Sequence, residues 1–216
     1  MIPILFEDAD LLAVNKPEGL ASIPERDTTQ DSLLALLSAS RPAKLYVVHR
    51  LDKEVSGVIL FAKNTAAHKF LNDQFFRHTV RKTYQALVHG VMAQERGTID
   101  EPLRQFGSGR MSIDSKRGKE SVTSFQVLQW FAAHTLVEVH PVTGRRHQIR
   151  VHFYKIGHAI VGDSLYGEKE VQRQFPRLML HAQRIAFQLP SVNEVVIEAP
   201  VPESFMQGLQ NLQRCC

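Results

Sequence analysis

The chain has 216 residues, 44% of them hydrophobic and 22% charged, which is the composition of a soluble globular protein with room for a sizeable core. Its only cysteines, Cys215 and Cys216, are adjacent at the end of the sequence, where a mutual disulfide would be strained and would staple nothing, so the fold is expected to stand without bridges in a reducing cytoplasm. The N-terminus carries neither a basic region nor an apolar run of signal length, and no later segment approaches a membrane-spanning length, so a cytoplasmic protein with no membrane partner is expected.

In chain order, Ile4 to Leu20 reads as two short strands around an acidic turn, with Pro17 and Gly19 ending the second strand and Lys16 left at its end. The stretch Thr28-Thr29-Gln30-Asp31-Ser32 offers N-cap residues before leucines at helical spacing, so a short helix is expected to begin near Asp31 and end before Pro42. Ser56 to Ala62 is a buried strand, Asn64 to Phe76 an amphipathic helix, and Lys82 to Gly90 a strand with Tyr84, Ala86 and Val88 on one face. Residues 91–118 have little periodicity and read as an irregular excursion. Ser121–Phe131 and His134–His140 form a hairpin about Ala132 and Ala133. Arg146 to Ile156 fits a helix stopped by Gly157, which makes Arg146 and Arg150 neighbours four apart. Leu178–Leu189 and Glu194–Ala199 read as a strand pair, and Pro202–Leu212 as a closing helix. With no internal repeat and no linker, these elements predict one mixed α+β domain with a largely antiparallel sheet and flanking helices.

The net charge of +4, with ten histidines uncounted, matters less than its distribution. Cations gather in Arg77–Lys82, Lys116–Lys119 and Arg145–Arg150, three short clusters that would make a footprint for a polyanion such as RNA if the fold unites them. A fourth concentration, His49-Arg50-Leu51-Asp52-Lys53-Glu54-Val55-Ser56-Gly57, runs straight into the strand Val58–Ala62. Polar groups at the mouth of a core strand mark a site on a rigid support. Equally, Arg50 and Asp52 share a face of an extended backbone and could be a local ion pair worth roughly 0–1 kcal/mol.

Several chemistries lack their residues. His147 and His152 are five apart, about 140° around a helix, and neither His-Glu-x-x-His nor paired Cys-x-x-Cys occurs, so no metal is expected. Phosphate-loop and dinucleotide fingerprints are missing, as is a Gly-x-Ser-x-Gly elbow. A lone carboxylate, a strand tyrosine and arginines remain. Asp52, Tyr84 and Arg150 come from separate elements, and spacing alone leaves open whether the fold brings them together.

His-Arg-Leu-Asp-x-x-x-Ser-Gly at 49–57 resembles the signature of the RluA-type pseudouridine synthases. Asn15-Lys16-Pro17-x-Gly19 is similar to the family's N-terminal motif, Lys82-Thr83-Tyr84-x-Ala86 to its tyrosine strand, and Thr143-Gly144-Arg145-x-His147-Gln148-Ile149-Arg150-Val151-His152 to its arginine helix. Gly162-Asp163-x-x-Tyr166-Gly167 and Leu180-His181-Ala182 resemble further blocks in the expected order. Two departures stand out. Val55 replaces the threonine usual before the Ser-Gly, and the S4-type RNA-binding domain that many relatives carry at the N-terminus has no counterpart before the first block, so residues 1–216 are expected to be one catalytic domain that holds RNA itself.

The resemblance implies a pseudouridine synthase-like fold and isomerisation of uridines in structured ribosomal or transfer RNA to pseudouridine, with no cofactor, no metal and no obligate protein partner. It implies base flipping, cleavage of the N1–C1′ bond, rotation of the uracil and a new C5–C1′ bond. Asp52 is then the catalytic carboxylate, Arg150 the cation that keeps it ionised and Tyr84 the ring that stacks on the uracil. Arg50 is placed to fill the vacated space or hold a flanking phosphate, and His49, Lys16, Lys82, Arg145, Arg146 and His147 are the remaining RNA-binding candidates. Two rival functions carry different products: an RNA-binding scaffold with no chemistry, and a hydrolase that frees uracil with the same carboxylate.

Overall fold

The computed structural model describes residues 1–25, 31–107, 109–189 and 192–213. In chain order these form β1 (Ile4–Glu7), β2 (Leu11–Lys16), α1 (Leu33–Ala39), β3 (Tyr46–Val47), β4 (Ser56–Ala62), α2 (Thr65–Phe76), β5 (Arg81–His89), β6 (Arg96–Asp100), β7 (Leu103–Gln105) and β8 (Met111–Ile113). The chain continues through β9 (Val122–Trp130), β10 (His134–Pro141), α3 (Gln148–Lys155), α4 (Lys169–Gln172), β11 (Leu180–Leu189), β12 (Val192–Glu198) and α5 (Glu203–Gln213). This is the α+β architecture that the sequence pattern predicts, largely antiparallel with flanking helices. Two compact units can be distinguished, Met1–Lys82 with Ala182–Pro200, and Thr83–His181 with Val201–Cys216. The chain alternates between them, so neither is one contiguous segment.

In the first unit the strand order is β1-β2-β4-β11, with β3 also on β4 and β12 on β11. Every residue of β4 is buried, which explains its unbroken apolar run: a strand covered on both faces has no solvent side to alternate with. Antiparallel pairing sets Leu11 against Ala62 and Lys16 against Gly57. Leu11, Ala13, Val58, Leu60 and Ala62 pack with Leu71 of α2 and with Ile185, Phe187 and Ile197, the larger of these side chains contributing roughly 1.5–3 kcal/mol each when fully buried. Two side-chain caps start the helices: Ser32 accepts from Ala35 N–H and Asn64 from Ala67 N–H. Ser32 belongs to the stretch expected to cap α1; Thr28 to Gln30 of that stretch lie outside the described residues, as do Cys215 and Cys216.

In the second unit β5, β10, β9 and β6 form an antiparallel run. The β9–β10 hairpin closes where expected, with Phe131 N–H donating to His134 O at 2.9 Å. Residues 91–118, expected to be irregular, contain three strands. The pairing of β6 with β9, from Arg96 opposite Gln126 to Asp100 opposite Val122, is long-range, and β7 and β8 are only three residues each, too short to show a period. The helix predicted from Arg146 starts instead at Gln148. His147 takes the left-handed conformation at φ 53°, so Arg146 sits in the preceding turn and is not a helical neighbour of Arg150.

Candidate functional site

Asp52 lies in the loop between β3 and β4, half-buried, and its carbonyl accepts from Val55 N–H at 3.1 Å, a turn that feeds the chain into β4. The backbone on both sides of Asp52 is tied to a single segment, residues 16–22. Before it, Ser22 Oγ donates to Leu51 O at 2.7 Å and accepts from Leu51 N–H at 3.1 Å. After it, Lys53 O accepts from Gly19 N–H at 2.9 Å and from Lys16 Nζ at 3.1 Å. The turn that brings Gly19 there has φ 79°, open to glycine at no steric cost. Gly57, at φ 123°, enters β4 so close to Ala182 O that a Cβ would collide with it.

Two of the expected RNA ligands in this unit have other work. The Lys16 ammonium also donates to Pro17 O at 2.9 Å and Leu20 O at 2.8 Å, so its three protons meet three backbone carbonyls, and the residue is 0% exposed. Lys16 is an internal tie and not a phosphate contact. His49 also serves the scaffold. The pairing of β3 with β4 covers Ala62 and Phe61, and the next amide, Leu60 N–H, donates to His49 Nε2 at 3.0 Å. The imidazole stacks on Phe75 with centroids 5.0 Å apart. Burial, helped by the charge of Lys82, pulls its pKa down to about 3. A neutral ring whose acceptor nitrogen is engaged is not a cation for phosphate. Arg50 is exposed, and Lys82 is half-buried with its pKa lowered by burial to about 8. Val55 is 2% exposed, where a threonine hydroxyl would require a partner; valine removes that requirement at nearly equal volume.

In the second unit Tyr84 sits half-buried on β5 opposite Val139. Arg150 is 1% exposed on α3, and its guanidinium forks onto Asp163, Nε to Oδ2 and Nη2 to Oδ1, each at 2.7 Å. Asp163 Oδ1 also accepts from Leu165 and Tyr166 N–H, and Gln172 Oε1 accepts from Asp163 N–H. Tyr166 is 2% exposed; its hydroxyl accepts from Met111 N–H at 3.2 Å and lies 2.9 Å from His147 Nδ1. Burial pushes the Tyr166 phenol above its ordinary range, so its proton stays on and can be donated to His147. His147, expected on a phosphate, is therefore buried against Tyr166. His152 Nε2 donates to Glu101 O and its Nδ1 meets Thr123 Oγ1.

Two of the three basic clusters come together in this unit. Arg145 Nε donates to Glu120 O at 3.1 Å, beside Lys116–Lys119, and Arg146 Nη1 reaches Gly109 O at 3.5 Å. Exposed Arg110, whose guanidinium lies over the Tyr166 ring, extends the same surface, while Arg77–Lys82 belongs to the other unit. Sequence reading gave no role to Asp163, Tyr166 or Ser22. The first two sit in a recognisable block; Ser22 carries no signal at all, since a lone serine is common anywhere.

Residues 10–155 match the family model described as RNA pseudouridylate synthase. The chain is 40% identical over 88% of its length to the dual-specificity RNA pseudouridine synthase RluA of Vibrio cholerae, of which it covers 78%. It is 39% identical over 97% of its length to the ribosomal large subunit pseudouridine synthase C of Escherichia coli K12, of which it covers 70%. Among solved structures, human RNA pseudouridylate synthase domain containing 4 superimposes with a TM-score of 0.80 at 28% identity, covering 98% of this chain and 93% of that one.

Proposed function

This chain belongs to the RNA pseudouridylate synthase family, of the RluA type, whose members isomerise uridine to pseudouridine in RNA, and we propose that it acts in the cytoplasm on specific uridines of a structured ribosomal or transfer RNA. Asp52 is the reacting carboxylate of this proposal, Tyr84 the ring against the uracil and Arg150 the cation of the set. The target nucleotide leaves its stack at a cost of a few kcal/mol, offset by contacts to the extruded base. The N1–C1′ bond breaks, the uracil turns while held, C5 bonds to C1′, and the proton lost from C5 is matched by one gained at the freed N1, so atoms and oxidation state balance without a co-reactant.

The observation that supports this reading most is the anchoring of Asp52: its flanking backbone is pinned before and after by Ser22, Gly19 and Lys16, at the mouth of a fully buried strand. A reacting group needs placement within about 0.5 Å, and a carboxylate in a mere surface ion pair does not. RNA is proposed to lie along the cations Arg110, Lys116, Arg117, Lys119, Arg145 and Arg146, with Arg50 and Lys82 nearer the reacting carboxylate in sequence.

Nucleoside analysis of ribosomal and transfer RNA after incubation with the purified protein tests the proposal. Pseudouridine within intact RNA is the expected product; free uracil would indicate a hydrolase, and tight binding without product an inert scaffold. Mapping pseudouridines in total RNA from cells lacking the gene then assigns the position.

A further inference from the structure

We propose that Ser22 is a positioning residue for the reaction: its hydroxyl fixes the peptide plane on the N-terminal side of Asp52 and so aims the carboxylate. The inference rests on the reading of Asp52 as the reacting group.

The direction of a Cα–Cβ bond follows from the two peptide planes that meet at Cα. For Asp52 the following plane is held by Val55 N–H on Asp52 O. The preceding plane includes Leu51 O, which accepts from Ser22 Oγ at 2.7 Å, and the same oxygen atom of Ser22 accepts from Leu51 N–H at 3.1 Å. One hydroxyl thus does what a neighbouring strand would do, engaging both polar groups of a single residue. Ser22 is 4% exposed and Leu51 6%, so water has little access to replace either bond.

Ser22 is itself held rigidly. The first two amides of α1 donate to the segment that carries it, Leu33 N–H to Ala21 O at 2.8 Å and Leu34 N–H to Ser22 O at 3.2 Å, and Ala21 bridges Ser32. These are amides that a helix leaves without intrahelical partners. The helix therefore fixes the segment, the segment fixes Leu51, and Leu51 fixes Asp52. Lys16 and Gly19 secure Lys53 on the far side, and the Ser22 hydroxyl secures Leu51 on the near side.

A buried residue that orients the carboxylate without touching RNA affects turnover and not binding. Ser22→Thr and Ser22→Val differ by a hydroxyl against a methyl of nearly equal volume, so any strain from the added branch is common to both. With saturating and limiting RNA, Ser22→Thr is expected to keep a kcat near that of the wild type, while Ser22→Val and Ser22→Ala lose roughly tenfold or more in kcat with KM unchanged. Circular dichroism at the assay temperature establishes that each variant is folded. Equal kcat for folded Thr and Val variants, or wild-type kcat for Ser22→Ala beside an inactive Asp52→Asn, overturns the positioning role and leaves Asp52 in place. An active Asp52→Asn overturns the reading of Asp52 and the inference with it.

Discussion

Arg150 and Asp163 meet in a two-bond fork at 2.7 Å with side chains 1% and 0% exposed. A buried pair of this kind is costly to break, because removing one partner takes from the other a charge-assisted fork that water has little access to replace. Asp163→Asn is expected to destabilise the protein by about 3–5 kcal/mol, lowering the thermal midpoint by roughly 10 °C, and to lose activity because Arg150 is no longer oriented. Urea unfolding followed by circular dichroism measures the first effect, and a midpoint equal to the wild type's would show the fork to be dispensable.

Lys16 and Arg146 should respond oppositely to the same pair of assays. Lys16→Met strands three backbone carbonyls and is expected to cost about 3 kcal/mol or more of folding stability. It should leave the salt dependence of RNA affinity unchanged, since its ammonium faces Pro17, Leu20 and Lys53. Arg146→Ala, at an exposed position, should leave stability near that of the wild type and reduce the slope of log K against log salt by about 0.7–0.9, the contribution of one phosphate contact. Filter binding across a salt series separates the two.

Acid stability follows from His49. Its folded pKa of about 3 lies below the ordinary 6.5, so as the pH falls the unfolded chain takes up a proton that the folded chain refuses. The contribution is fully present above about pH 6.5 and is lost progressively down to about pH 3. Burial shifts His152 and His134 in the same direction and adds to it. Between pH 7.5 and pH 5 the His49 share amounts to about 1–2 kcal/mol. His49→Gln, which offers an acceptor but does not titrate, should flatten the profile; an unchanged profile in that variant would remove His49 as its source.

The elements that sequence made plain are those with local causes: the apolar run of β4, the cap and stripe of α2, and the turn around Ala132. Arg96–Asp100, Leu103–Gln105 and Met111–Ile113 form strands because β9 and their own hairpin supply partners, which no local pattern announces. Site residues divide similarly. Residue type and motif singled out Asp52, Tyr84 and Arg150, and Lys16 and His49, expected on RNA, are engaged by the scaffold. A lysine with its ammonium on three carbonyls and a histidine reduced to a neutral acceptor look like RNA ligands until burial and partners are known. Ser22 acts through two backbone atoms, and backbone partners leave no trace in residue identity.

Lys82 gives RNA binding a pH dependence of its own. Burial lowers its pKa to about 8, so in the folded protein its charge is lost as the pH rises through 8, well before that of an ordinary lysine at 10.5. As a phosphate contact it predicts that RNA affinity weakens between pH 7.5 and 9 and that Lys82→Arg, charged throughout, removes this weakening. Parallel pH profiles for the two proteins would exclude Lys82 from the interface.

The central claim is that Asp52 performs the chemistry, and the most direct measurement is hydrogen release from C5-labelled uridine in RNA by purified Asp52→Asn. The substitution keeps the size of the side chain and removes its charge. No release above background, with RNA affinity close to the wild type's, is the predicted result; turnover in the folded variant would contradict it.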